Sequence, residues 1–183
     1  MKTFRWLAAL SGLLLVAASS GLAATASADA RAEVVFDHPE KFTDVKDSSM
    51  PTDEGSAAIL ASLREYLVHE ARTLLPEGYK LTLVFSDIDL AGDFEPWRGA
   101  QFDNIRIVKS IYPPHFKFTF TLSDPTGTVI RQGQEDLLDM AYDMRITLDR
   151  SDPLRYEKSI LKDWMHRQLR GAWPRAAARA KAE

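Results

Sequence analysis

The stretch SDIDLAGDFEPWRG, residues 86–99, gathers the side chains of this sequence best suited to chemistry. Asp87, Asp89, Asp93 and Glu95 follow one another closely, with Trp97 just beyond. Hard divalent cations take several oxygen ligands from turns of this kind. With Asp87 as the first position of a calcium loop, Asp89 falls third, Gly92 sixth (where the sharp turn belongs), Asp93 seventh and Glu95 ninth. The fifth position is Ala91, however, and the twelfth, where a bidentate Glu belongs, is Arg98. The segment before the loop also reads as a strand instead of a helix. A second reading makes Asp87 and Asp89 one face of a strand, alternating with Ile88 and Leu90, either solvated or salt-bridged. Arg98 and Arg106 would then neutralise part of the cluster. A third reading pairs two carboxylates as acid and base across a sugar bond, with Trp97 stacked on the ring. That chemistry needs a fixed carboxylate separation, which spacing in the sequence does not set.

Other catalytic patterns are missing. HEART, residues 69–73, opens like a zinc-protease helix, but its last residue is Thr73 where a second histidine belongs. The four histidines, His38, His69, His115 and His166, show no ligand spacing. There is no cysteine, no glycine-flanked nucleophilic serine and no glycine-rich phosphate loop. No cofactor is therefore expected, with calcium or another divalent cation at Asp87, Asp89, Asp93 and Glu95 as the alternative.

Several elements must position these residues. AEVVFD (32–37) reads as a short strand, and PEKFTDVKDSSMPTDEGS after it as a charged loop. From Ser56 to about Leu75 the residues Ile59, Leu60, Leu63, Leu67, Ala71 and Leu74 recur at helical spacing, and Pro76 and Gly78 end the helix. KLTLVFSDIDL alternates as a strand, NIRIVKSIY reads as a weaker one, and HFKFTFTL alternates with Phe116, Phe118, Phe120 and Leu122 on one side. SDPTG is a turn into an antiparallel partner, TVIRQGQ. EDLLDMAYDMR fits both periods and is read as a continuation of that strand. Ser151 or Asp152, followed by Pro153, caps a last helix whose stripe is Leu154, Ile160, Leu161, Trp164, Met165 and Leu169. Trp164 therefore belongs to the core, whereas Trp97 is either a recognition residue or a lid over the sheet edge. The sum is an α+β domain: a single, mostly antiparallel sheet of about four or five strands with two helices packed on one face.

Residues 1–28 read as a signal peptide, with Lys2 and Arg5 before a short apolar run and cleavage expected after Ala28, Ala26 or Ala23. The apolar run is shorter than a membrane span requires. Removing it takes away two basic residues and no acidic one, moving the formal charge from −3 to −5. That balance gives no footprint for nucleic acid. Residues 29–174 form one domain of ordinary size, and 175–183 a basic, alanine-rich tail that would fray or touch a membrane surface.

Four blocks carry a family resemblance: HPEKFTDV (38–45), DIDLAGDFEPWRG (87–99), IRIVKSIYPP (105–114) and DPLRYEKSILKDW (152–164). In this order they resemble a bacterial family of exported proteins known as domain of unknown function 3016. The resemblance implies an exported single-domain protein and brings no activity or catalytic residue with it. The missing signatures and long loops point to a non-enzymatic periplasmic binding or assembly module whose partner is a periplasmic protein or envelope component. Its working surface would comprise Glu40, Lys41, Phe42, Asp44 and Trp97. The rival reading is a metal-binding protein, or a hydrolase, centred on the acidic loop 87–95.

Overall fold

The structure is a computed structural model and describes residues 31–147 and 149–173. The signal peptide and the tail expected from the sequence lie outside the described residues. The main sheet has four strands: β1 (Ala32–Phe36), β2 (Lys80–Asp89), β5 (His115–Ser123) and β6 (Val129–Leu138), in the order β1-β2-β5-β6. β1 runs parallel to β2, and the other pairs are antiparallel. Two helices, α1 (Asp53–Leu74) and α2 (Arg155–Leu169), cover one face. The α+β layout expected from the alternation and helical spacing is therefore the one observed.

Helix α1 starts three residues before the expected Ser56, because Thr52 accepts the Gly55 amide with its hydroxyl and caps the end. Its buried stripe of Leu60, Leu63, Leu67 and Ala71 meets Leu81, Leu83 and Phe85 of β2 in one core. Trp164 of α2 packs edge-on against Phe118 and Phe120 of β5, with ring centroids 4.7 and 5.2 Å away, which confirms it as a core residue. The cap of α2 differs from expectation. The helix begins at Arg155, beyond Pro153, and Asp152 instead accepts the Leu154 amide at 2.8 Å and the Lys158 ammonium at 2.7 Å.

Two strand expectations are corrected. In NIRIVKSIY only Arg106–Ile107 (β4) pairs, and its partner is Asp93–Phe94 (β3), in a two-stranded ladder separate from the main sheet. EDLLDMAYDMR leaves the sheet at Leu138 and tightens into a 3₁₀ turn at Tyr142–Met144. Tyr142 explains the departure: its ring is fully buried against Tyr156, and its hydroxyl donates to the Lys109 carbonyl at 2.7 Å.

One irregularity positions the acidic stretch. The β2–β5 register shifts between Phe85 and Asp87. Before the shift the odd residues Leu81, Leu83 and Phe85 face the core; after it the even residues Ile88 and Leu90 do. A bulge of one residue exchanges the faces of a strand. Without it, Asp87 and Asp89 would be driven into the hydrophobic layer.

Candidate functional site

Residues 90–114 form a small lobe at the end of the sheet where β2 finishes and β5 begins. Gly92 opens it with φ +79°, and a Cβ there would meet the Ile107 carbonyl oxygen at 2.7 Å, so the β3–β4 approach requires glycine. Glu95 lies at the lobe's centre, 1% exposed, and accepts from Lys109 at 2.5 Å, from the Tyr112 hydroxyl at 2.9 Å and from Arg98. The Lys109 bond is the main reason its carboxyl titrates below the usual glutamate range. Such a buried anion with three donors ties the 3₁₀ turn Pro96–Arg98 to Lys109, just after β4, and to the turn at Tyr112.

The lobe is fastened to the body by polar staples. Arg106 spans Asp44 at 2.8 and 3.3 Å, the Gly92 carbonyl at 2.8 Å and the Lys46 carbonyl at 2.9 Å, and lies 4.7 Å over the Phe94 ring. Asp44, 6% exposed, is brought there because its amide and carbonyl extend the edge of β2 through Ile88 and Leu90. Glu157 at the start of α2 accepts the Ala91 amide at 2.8 Å. Two clefts flank the lobe. The larger, about 600 Å³, runs between the lobe and the N-terminal turns of α1 and α2. The smaller, about 330 Å³, has Asp44, Asp89, Asp93, Tyr112 and His115 on its walls.

The four carboxylates of the acidic stretch have different destinations. Asp87 accepts the Thr43 amide at 2.8 Å and hydroxyl at 3.0 Å, with Lys117 3.9 Å away. Asp89 stands beside Asp44, and its pKa is raised to about 6, first by burial and then by Asp44 and Asp87. Asp93 accepts the Phe94 amide, and Glu95 is the lobe's hub. Among the described residues no three His, Asp or Glu side chains converge as a ligand set. Of the two arginines expected to neutralise part of this cluster, Arg98 holds Glu95, whereas Arg106 holds Asp44 instead. We expect chelation, followed by calcium, magnesium, zinc or manganese, to leave the melting temperature unchanged. A rise of several degrees with one cation, lost on Asp87→Asn with Asp89→Asn, would mean the carboxylates rearrange around a metal.

The residues anticipated as a binding surface also divide. Trp97 is 72% exposed, so it does not close over the core as a lid. Glu40 and Lys41 are exposed on a 3₁₀ turn, with Glu40 3.0 Å from His38 Nδ1. Phe42 is partly buried edge-on to Phe36, and Asp44 is held by Arg106, so these two position the loop. Sequence reasoning missed Arg106's full role, Tyr142 and Glu157. For Glu157 a signal existed, since it falls on the α2 stripe between Leu154 and Leu161.

Taken together, the sheet, its paired helices and the stapled lobe define a two-layer α+β domain with a hydrogen-bonded loop lobe at one end. The chain belongs to the protein family of unknown function DUF3016, whose model matches residues 30–167. Comparison with curated proteins and with solved structures found no match. No helix among the described residues is long and apolar enough to cross a membrane.

Proposed function

We propose that this chain is an exported, non-enzymatic binding or assembly module that docks a periplasmic or envelope protein on its lobe. The observation that carries the reading is Trp97, held out to solvent on a turn that Glu95 locks from below. Tryptophan and arginine on pre-ordered surfaces dominate binding energy at protein interfaces. Here Trp97 is followed directly by Arg98, itself fixed on Glu95. Apolar exposure concentrates at the same end of the sheet. Trp97, Ile105, Val108 and Ile111 are exposed in the lobe, and Leu138, Met140, Met144 and Ile146 in the segment hydrogen-bonded to it through Tyr142–Lys109 and Asp139–Pro114. Scattered apolar residues are ordinary on surfaces, and it is their concentration at one end of the sheet that supports an interaction site there. Export rests on the signal-like residues 1–28.

Because Trp97 contributes little to the core, Trp97→Ala is expected to leave stability within about 0.5 kcal/mol. The same change should weaken capture of the partner from a periplasmic extract at least tenfold, the scale of an interface anchor. Quantitative pull-down with the folded variant checks this. Undiminished capture would remove the lobe as the docking face.

A further inference from the structure

Glu157 carries a carboxyl oxygen that the fold leaves unsatisfied. The side chain is 1% exposed; Oε1 accepts the Ala91 amide at 2.8 Å, and Oε2 has no partner. Glu157 is one of the residues lining the 600 Å³ cleft, with Ile59, Leu90, Phe94, Val108 and Tyr156, although Oε2 itself is closed to solvent. The charged groups around it are otherwise engaged. Arg106 is held by Asp44 and two carbonyls, Arg155 lies over the Tyr156 ring and near the Asp152 carbonyl, and Asp47 accepts from Thr52. An unmet buried acceptor is costly, and a largely apolar cleft of several hundred Å³ with one or two placed polar groups is the usual form of a small-molecule site.

We propose that this cleft binds a small amphipathic molecule: an apolar, ring-sized body carrying one N–H or O–H donor that is given to Glu157 Oε2, which a shift of the lining side chains uncovers as the molecule enters. The apolar body packs against Ile59, Phe94 and Val108, and the donor satisfies the oxygen. Burial raises the Glu157 carboxyl to about 7, against the pull of Arg106 and Arg155, so the group accepts a donor most strongly once ionised, and an ammonium donor would favour that form. The cleft shares Ile105 and Val108 with the lobe's exposed apolar group but does not include Trp97, and small-molecule binding in it stands or falls without the docking of a protein on Trp97.

The test is a titration of the folded protein with 3-phenylpropylamine, 3-phenylpropan-1-ol and propylbenzene, read on the Ala91 amide and the Ile59 and Val108 methyls by NMR. The amine and the alcohol are expected to shift all three signals saturably, and propylbenzene to bind at least tenfold more weakly. Glu157→Gln should remove that preference. Ala58→Trp, which narrows the cleft from α1 and leaves Glu157 in place, should weaken the amine and the alcohol at least tenfold. Three results would each overturn the proposal: equal binding of propylbenzene, unchanged amine and alcohol binding in both variants, or no saturable shift up to millimolar ligand.

Discussion

Arg106→Ala is expected to be the most destabilising single change in the lobe, lowering unfolding free energy by about 3–5 kcal/mol. The guanidinium is mostly buried and makes four polar contacts, and truncation strands each of them. Asp44 would be left at 6% exposure with the more distant Lys46, 3.8 Å away, as its remaining ion partner. The Gly92 and Lys46 carbonyls would lose a donor, and Phe94 would lose the cation above its ring. Domains of this size have roughly 5–15 kcal/mol in total, so the variant would be marginal. Urea unfolding measures the loss. Removing both charges as Asp44→Leu with Arg106→Met should recover most of it, because a buried pair replaced by apolar groups is close to neutral. A single variant within about 1 kcal/mol of the parent would show that the lobe is not held by this staple.

The second large effect has the opposite sign. Burial lifts the Glu157 carboxyl from its ordinary 4.5 to about 7. A raised acid favours the protonated native state, so the stability it contributes is complete below about pH 4.5. That contribution is lost as pH rises through about 7 and stays lost above it. Glu157→Gln carries no charge at any pH and keeps an oxygen for the Ala91 amide. It is therefore expected to match the parent near pH 4 and to exceed it by about 1–3 kcal/mol at pH 8. Paired urea melts at the two pH values check this. A variant less stable than the parent at pH 8 would mean that the ionised carboxylate is satisfied in the folded protein.

Much of the frame was legible because one face of every main element is apolar. The α1 and α2 stripes and the alternation of Phe116, Phe118, Phe120 and Leu122 fixed which sides meet, and tertiary burial agreed with them. The lobe was harder to read. The pairing in NIRIVKSIY is two residues long and rests on Gly92's backbone and Arg106's reach, neither of which has a hydrophobic period. EDLLDMAYDMR fitted two periods, and Tyr142's burial decided between them. The acidic stretch held a clue that strict alternation obscured. After Leu81, Leu83 and Phe85, a period of two puts Asp87 and Asp89 on the core side, so the change of parity at Ser86 already required a bulge. Asp44 and Arg106, far apart in the chain, meet only through tertiary structure, and no local pattern announces such a pair.

The most direct test of the docking surface places a photo-crosslinking benzoylphenylalanine at position 97 in the cell that makes this protein. Gln132, exposed on the edge strand β6, is the control position. The lobe reading predicts one discrete adduct of higher mass from position 97, absent from position 132 and reduced by Ile111→Lys, which puts a charge in the exposed apolar group. No adduct at 97 beyond that at 132, in cells where the protein is folded and exported, would contradict it.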